Sequence, residues 1–371
     1  MARLVALVSA AAAAVLLAGC GPQPITLPPQ PTPSVTQQPD GVQPTGTPTD
    51  VVTGLASPWS ILRVSETLTL VSERDSGAIE EVIGDRLQQI GTVPDVVHQG
   101  EGGLLGLAYL DADGHWLYAY ETTAGDNRIV RMPFNEDHSL GAAEVVLKGL
   151  DKANNHDGGR IAFGPDGMLY ATVGDASNPP NAQDPASLNG KILRMTPTGD
   201  VPSDNPFAGS LVYSMGHRNP QGLAWDKNGQ LWAAEFGQDT WDEFNRIEPG
   251  GNYGWPIVEG ISAGSTTDHF IDPWAEWPTD DASPSGLTYI GGTFFMAGLG
   301  GQRLWVIYVN EEGQYATSEM AYEGEYGRIR DVAPGPDGSL WMLTDNTDGR
   351  GQPRDDDDRI LQVGLTELVE G

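Results

Sequence analysis

The sequence predicts an all-β chain, a six-bladed β-propeller of four-stranded antiparallel blades, and three observations lead to that fold class. A short apolar run, an Asp-Gly or Asn-Gly turn and a second apolar and aromatic run recur along the chain, a pattern typical of β-hairpins. The 371 residues include 48 glycines and 28 prolines, as expected of a chain with many tight turns. No segment keeps a 3.6-residue apolar period, so few helices are expected.

The hairpin pattern recurs six times after residue 50. A regularly recurring unit that contains a hairpin is typical of a propeller blade. A pair of β-sandwiches is the alternative, but sandwiches do not require such regular recurrence. The turn glycines Gly114, Gly167, Gly229 and Gly338 lie 53, 62 and 109 residues apart, and the last interval holds two units. The six units span residues 58–74, 105–120, 161–173, 222–235, 285–297 and 331–345.

The chain is strongly acidic, because 51 Asp and Glu against 20 Lys and Arg give a formal net charge of −31. Such a charge disfavours nucleic acid and anionic membrane surfaces as partners. The carboxylates offer oxygen ligands to divalent cations, although a solvated surface explains most of them equally well. The single cysteine excludes an intrachain disulfide.

The first fifty residues predict two segments that precede the folded domain. Residues 1–20 combine a basic start, a short apolar run and the ending Leu17-Ala18-Gly19-Cys20. This ending resembles the lipobox of a bacterial lipoprotein signal peptide, and an ordinary secretory peptide is the alternative. Residues 21–50 hold nine prolines and are expected to form a disordered Pro/Thr-rich tether. The predicted propeller, residues 51–371, would then be secreted and held on the outer face of the cytoplasmic membrane only by a lipid on Cys20.

The third unit carries the most informative polar cluster, Asn155-His156-Asp157-Gly158-Gly159-Arg160, directly before a predicted strand. A Gly164-Pro165-Asp166-Gly167 turn then joins two apolar runs into a hairpin. Loops at the end of a rigid sheet often carry catalytic residues. A histidine in such a loop is a candidate general base. A solvated histidine that caps the hairpin is the alternative.

Several longer motifs resemble those of a known family, in the same order and over nearly all of residues 51–365. The family is that of the soluble glucose/sorbosone dehydrogenases that use pyrroloquinoline quinone (PQQ), and the resemblance is to their aldose sugar dehydrogenase branch. Its members are six-bladed propellers that use PQQ and calcium. The most specific matches are Gly216-His217-Arg218-Asn219-Pro220-Gln221-Gly222 and Asn252-Tyr253-Gly254-Trp255-Pro256. Further matches are Glu101-Gly102-Gly103-Leu104-Leu105-Gly106, Asp126-Asn127-Arg128, Gly190-Lys191-Ile192-Leu193-Arg194, Asp204-Asn205-Pro206-Phe207, Asp242-Glu243-Phe244-Asn245 and Arg328-Ile329-Arg330-Asp331.

The resemblance implies a reaction and two catalytic residues. His156 occupies the position of the family's base, which accepts the proton of the sugar C1 hydroxyl while a hydride moves to PQQ. Asp175 matches the carboxylate that orients this histidine, and a plain turn residue is the alternative. The product would be a lactone, and an external acceptor would take the electrons.

The resemblance also implies which residues bind the cofactor and calcium. Arg218, Asn219, Arg328 and Arg330 match positions around PQQ, whose three carboxylates suit guanidinium groups. For Arg328 and Arg330, two strand residues that share one face are the alternative. The backbone carbonyls of Gly237 and Gln238 match ligands of the cofactor calcium. Glu243 and the carbonyl of Tyr253 match ligands of a second, structural calcium.

Three positions depart from the common pattern of the family. Asn155 stands where an Asp often precedes the histidine, and Glu101 stands where a Gln often contacts cofactor and substrate. Gly300 stands where a Lys commonly meets PQQ. Arg303 is the nearby candidate to replace that amine. Loss of one charge-assisted bond would weaken cofactor binding by about 1–3 kcal/mol.

Two other functions fit the same predicted funnel. One is a propeller lactonase with a central calcium held by side-chain carboxylates. The other is a PQQ-free surface module that binds a sugar or a protein. Cofactor titration and reduction of a redox dye distinguish both from a dehydrogenase.

Overall fold

The computed structural model describes residues 41–111, 114–262 and 270–368. The predicted signal peptide with Cys20 and most of the predicted tether lie outside the described residues. None of the helices in the described ranges is long and apolar enough to cross a membrane.

The described chain forms six separate four-stranded antiparallel sheets. Blade 1 contains β2 (Pro58–Arg63), β3 (Thr69–Glu73), β4 (Ala78–Ile83) and β5 (Arg86–Thr92). Blade 2 contains β6 (Leu104–Leu110), β7 (Trp116–Thr122), β8 (Asn127–Pro133) and β9 (Glu144–Leu150). Blade 3 contains β10 (Ile161–Phe163), β11 (Leu169–Val173), β12 (Lys191–Met195) and β13 (Val212–Met215).

The other three blades also have four strands each, and the last one includes the first strand of the chain. Blade 4 contains β14 (Asn219–Trp225), β15 (Leu231–Phe236), β16 (Trp241–Arg246) and β17 (Ala275–Pro278). Blade 5 contains β18 (Pro284–Ile290), β19 (Thr293–Gly298), β20 (Arg303–Asn310) and β21 (Tyr315–Ala321). Blade 6 contains β22 (Ile329–Pro334), β23 (Leu340–Thr344), β24 (Arg359–Glu367) and β1 (Val42–Thr53). The helical elements are α1 (Pro180–Gln183) and a 3-10 turn at Pro336–Gly338.

The six blades form a ring, so the predicted six-bladed propeller with few helices is confirmed. The first strand of each blade lies against the neighbouring blade, from β2 round to β22 and back to β2. The six units predicted from the sequence are the two innermost strands of the blades, β2–β3 through β22–β23.

The predicted boundary between tether and propeller at residue 50 is wrong by about one strand. Strand β1 begins at Val42 and pairs with β24 from Val42↔Glu367 to Thr53↔Arg359. It therefore supplies the outermost strand of blade 6, so the two ends of the described chain close one blade together. The segment looked like a tether because it contains Pro44 and Pro48, which an edge strand tolerates.

The core is divided among the interfaces between blades, because each sheet buries both of its faces. Six apolar clusters occur among the described residues; five join residues of two neighbouring blades, and one joins blades 2 and 3 together with Trp59 of blade 1. In strand β11, successive side chains point to opposite faces of the sheet and therefore pack in two different interfaces. Leu169, Ala171 and Val173 join the cluster shared with blade 2, whereas Tyr170 joins the cluster shared with blade 4.

Candidate active site

His156 lies in the loop between β9 and β10, and its side chain is paired with Asp175. The Nδ1 atom is 2.8 Å from Asp175 Oδ1. The two side chains are 8% and 0% exposed. A carboxylate can only accept, so Nδ1 is the donor, and in the neutral ring Nε2 carries the lone pair. None of the described residues forms a hydrogen bond with Nε2 of His156, so this atom is available to a substrate.

Three donors fix Asp175 from different directions. Besides His156, the backbone N–H of Ser177 donates to Oδ1 at 2.8 Å, and the indole Nε1 of Trp255 donates to Oδ2 at 2.8 Å. These bonds compensate the carboxylate for the loss of water. The arrangement can hold one imidazole tautomer and stabilise the imidazolium that forms when His156 accepts a proton.

The backbone of the histidine loop packs directly against the end of the hairpin strand. His156 has a left-handed φ of 66°. A Cβ at Gly174 would lie 2.0 Å from the carbonyl oxygen of His156. Only glycine therefore fits at position 174, and the close approach fixes the distance between His156 and the following Asp175.

Glu101, Asn155 and Asn219 support this loop. The N–H of His156 donates to Glu101 Oε2 at 2.9 Å. Asn219 Oδ1 accepts the N–H of Gly158 at 3.0 Å, and Asn155 Oδ1 accepts the hydroxyl of Ser177 at 2.8 Å. All three predicted residues thus lie at the histidine loop, although among them only Glu101 also lines the neighbouring cavity.

That cavity has a volume of about 240 Å³ and lies at the end of the ring where the innermost strands begin. Its wall combines aromatic rings with guanidinium groups. The lining residues are Trp59, Glu101, Gln221, Phe236, Ser283, Leu299, Arg328, Arg330 and Arg350.

Arg328 and Arg330 are each paired with a buried aspartate. Arg328 Nη2 is 2.9 Å from Asp348 Oδ2, and Arg330 Nε is 2.8 Å from Asp345 Oδ2. Burial raises the pKa of Asp345 to about 6. Burial also opposes the ionisation of Asp348, but Arg328 and backbone N–H groups hold the pKa of Asp348 below its ordinary value. The Nε atom of Arg328 is buried and has no partner among the described residues.

Arg218 lies beside the His156–Asp175 pair but outside the cavity wall. Its Nε and Nη2 donate to Gln238 Oε1 at 3.0 and 2.9 Å, and its guanidinium lies 5.6 Å from the ring centre of Trp255. Burial lowers the pKa of Arg218, against the attraction of Asp175. Arg218, predicted as a cofactor residue, therefore lies near the His156–Asp175 pair and not in the cavity wall.

Arg303 does not join this group, so its predicted role beside the cofactor is corrected. Its side chain lies at the start of β20 and reaches outward, where Nη2 is 2.8 Å from Glu323 and 3.8 Å from Asp281. It does not line the cavity. Position 300 itself adjoins the wall, since a Cβ at Gly300 would lie 2.4 Å from Ser283 Oγ.

The predicted calcium loop follows β15 and wraps around a carboxylate that the sequence did not single out. Glu259 Oε1 accepts the N–H groups of residues 238–241 at 2.6–3.2 Å. Burial opposes its ionisation, but these four donors lower the pKa of Glu259. The carbonyl oxygens of Gly237 and Gln238 accept no hydrogen bond within the described ranges.

The two predicted ligands of a structural calcium are buried in or beside blade 4. Glu243 accepts the N–H of Gly260 at 2.8 Å, and burial together with Glu235 raises its pKa to about 8. The Tyr253 hydroxyl donates to the carbonyl of Arg246 at 2.6 Å. No group of three or more His, Cys, Asp or Glu side chains in the described part of the chain could hold a metal ion.

The fold agrees with what comparison with known proteins finds. The model of the glucose/sorbosone dehydrogenase family matches residues 55–354. The chain belongs to this family of sugar dehydrogenases.

Three relatives illustrate the likeness. The PQQ-bound aldose sugar dehydrogenase of Streptomyces coelicolor is 50% identical, with a TM-score of 0.83 over 89% of this chain and 100% of that one. The aldose sugar dehydrogenase YliI of Escherichia coli is 32% identical over 293 residues, 69% of this chain and 78% of that protein. Quinoprotein glucose dehydrogenase B of Acinetobacter calcoaceticus is 32% identical over 249 residues, 57% of this chain and 52% of that protein.

Proposed function

We propose that the chain is a PQQ-dependent aldose sugar dehydrogenase that oxidises the C1 hydroxyl of aldoses to lactones. An external acceptor would take the electrons. The observation that carries the proposal is the buried His156–Asp175 pair, at 2.8 Å, linked through Glu101 to a cavity lined by three arginines. The PQQ-bound relative from Streptomyces supports the choice of cofactor.

The cavity residues fit a planar tricarboxylate such as PQQ. Arg328, Arg330 and Arg350 offer guanidinium groups, and carboxylates pair with these in bidentate fashion. The buried Nε of Arg328 lacks a partner within the described residues, so a ligand oxygen would satisfy it. Phe236, which is half-buried at the cavity, offers a ring that suits a flat ligand.

PQQ would supply the one capacity that protein side chains lack, the acceptance of a hydride. The chain's own residues would handle the proton. His156 Nε2 would accept the proton of the C1 hydroxyl, and Asp175 would stabilise the resulting imidazolium. Trp255 and Ser177 would keep Asp175 oriented throughout. His156 would then release the proton to solvent.

Calcium would bind at the loop after β15, where the carbonyls of Gly237 and Gln238 lack hydrogen-bond partners within the described ranges. Backbone carbonyls are suitable calcium ligands. The ion would polarise an oxygen of the bound quinone. Glu243 and Tyr253 remain the candidates for a second, structural ion.

The lactonase alternative loses support. It required a central calcium held by side-chain carboxylates, but Asp331 and Glu101 each pair with an arginine at 3.0 Å. A serine hydrolase is not favoured either, although Gly260-Ile261-Ser262-Ala263-Gly264 has the spacing of a nucleophile motif. The described residues 253–262 contain no strand, whereas the motif places its serine directly after one.

The location of the protein is a separate part of the proposal. Cys20 would carry the lipid that holds the domain outside the cytoplasmic membrane. Replacement of Cys20 by Ser should release the protein from the membrane fraction. Unchanged fractionation would contradict the anchor and would leave the enzymatic proposal intact.

The enzymatic proposal is tested by titration of the calcium-loaded protein with PQQ, followed by dye reduction with a panel of aldoses. Saturable binding and aldose-dependent reduction are expected. Binding of PQQ without oxidation of any sugar or alcohol would favour the binding-module alternative. Failure to bind PQQ would contradict the proposal.

A further inference from the structure

Arg350 differs from the other arginines of the cavity in how it is held. Arg328 and Arg330 pair with Asp348 and Asp345, whose side chains are 0% and 1% exposed. Arg350 pairs with Glu101 at 3.0 Å, and its own side chain is 50% exposed. Among the three it is therefore the cation that can most easily change partner.

The backbone of Arg350 is nevertheless fixed at the cavity. Asp348 Oδ1 accepts its N–H at 2.8 Å, and Asp348 Oδ2 binds Arg328 at 2.9 Å. The same aspartate therefore anchors the turn after β23 and one wall of the cavity. Only the side chain of Arg350 is left to move.

Glu101 joins this arginine to the catalytic loop. One carboxylate oxygen accepts from Arg350 and the other accepts the N–H of His156, although residues 101 and 350 lie 249 positions apart. If Arg350 turned toward a ligand, Glu101 would keep its bond to the backbone of His156. The pair thus connects the cofactor cavity with the position of the base.

The positive charges at the cavity are already balanced by carboxylates of the protein. The three arginines face three carboxylates, Asp345, Asp348 and Glu101. Gly300 brings no charge to the adjoining wall, and Arg303 is engaged outside the cavity. A ligand with three carboxylates therefore needs a cation that can leave its protein partner.

We propose that Arg350 binds a carboxylate of PQQ in place of the amine that position 300 lacks, and that Glu101 holds Arg350 at the cavity until the ligand binds. This inference rests on the proposed function. Glu101 would be a positioning residue, since it acts through Arg350 and His156.

The test is the dissociation constant of PQQ, measured by absorbance titration of the calcium-loaded apoprotein. Loss of one charge-assisted bond should weaken binding about tenfold to a hundredfold in Arg350→Gln. Arg350→Lys should lose less, because it keeps the charge but not the planar fork. Arg246→Gln is the matched control, since Arg246 pairs with Glu248 at 2.8 Å on the surface and does not line the cavity.

The substitution Arg350→Gln made in a Glu101→Gln variant distinguishes a direct contact between Arg350 and PQQ from an indirect effect through Glu101. In Glu101→Gln, the removal of Arg350 should still weaken PQQ binding by a similar factor. If the effect disappears in that background, or if Arg350→Gln binds as tightly as the parent, the proposed contact is overturned. If the parent protein itself does not bind PQQ, the proposed function is overturned. Binding by the parent therefore distinguishes a failure of this inference from a failure of the proposed function.

Discussion

Arg160 and Asp331 form an ion pair across the centre of the ring, with Nη1 3.0 Å from Oδ2. They belong to blades 3 and 6. Arg160 also donates to the carbonyl of Gln221 in blade 4 and to the hydroxyl of Ser60 in blade 1. Its guanidinium lies 4.4 Å from the ring centre of Trp59. One side chain therefore connects four blades next to the cavity.

Replacement of Arg160 by Leu should destabilise the fold by about 3–5 kcal/mol, because Asp331 would be left as a buried, unpaired charge. Burial already raises the pKa of Asp331 despite the attraction of Arg160. Denaturant unfolding measures the change. The double variant Arg160→Leu, Asp331→Leu should recover part of the loss, and equal destabilisation of both variants would contradict this explanation.

Glu121 should make stability depend on pH in the neutral range. Burial raises its pKa from 4.5 to about 7, against the attraction of Arg128. Its Oε2 atom has no partner within the described part of the chain. The folded state therefore binds the proton more tightly than the unfolded state. The stabilisation is complete below pH 4.5 and is lost as the pH rises to about 7.

Glu121→Gln should remove this pH dependence, which amounts to up to about 3 kcal/mol in the free energy of unfolding. Relative to the parent, the variant should gain stability between pH 5 and pH 8, as measured by unfolding at each pH. Glu144→Gln, on an exposed side chain, is the control and should show no such gain. Parallel curves for Glu121→Gln and the parent would contradict the assignment.

Calcium should stabilise the domain through the loop after β15. A ligand that binds only the folded state at about 100 times its dissociation constant adds about 2.7 kcal/mol. Chelator should therefore lower the melting temperature of the metal-loaded protein. Glu259→Ala should reduce this response, because Glu259 arranges the backbone of residues 238–241. A demonstrably loaded protein that melts identically with chelator would rule out the stabilisation.

Trp255 should affect catalysis through Asp175. Trp255→Phe removes the 2.8 Å indole hydrogen bond and keeps most of the aromatic volume. Loss of a hydrogen bond to a charged group, about 1.5–3 kcal/mol, should lower kcat roughly tenfold to a hundredfold if the bond acts fully in the transition state. The dissociation constant of PQQ should change little. An unchanged kcat would show that Asp175 needs only its other two donors.

The sequence predicted the inner half of each blade better than the outer half. Strands such as β11, with five buried residues, are apolar throughout because both sheet faces are covered. Outer strands such as β5, Arg-Leu-Gln-Gln-Ile-Gly-Thr, are partly exposed and lack that signal. Strand β1 was hidden for a related reason, since its prolines and threonines suit an edge strand and also a tether.

The residues of the site were predicted where a motif marks them and missed where none does. His156 was predicted from its polar cluster and Asp175 from the family resemblance, and the two lie 19 residues apart on either side of one hairpin. Glu259, Asp348 and Arg350 were missed because no local pattern marks them, and of these three only Arg350 has its partner, Glu101, in another blade. The outward direction of Arg303 depends on Glu323, which lies after the next strand. Such pairings become visible only once the strands between the partners are placed.

The role of His156 as the base is tested most directly by the turnover of His156→Gln in dye reduction with a saturating aldose. General-base catalysis typically contributes about 10²–10⁴ in rate, so kcat should fall by at least that order. PQQ binding and the melting temperature should stay close to those of the parent, because His156 does not line the arginine cavity. A variant that binds PQQ and still reduces dye at nearly the parental rate would contradict the assignment of His156 as the base.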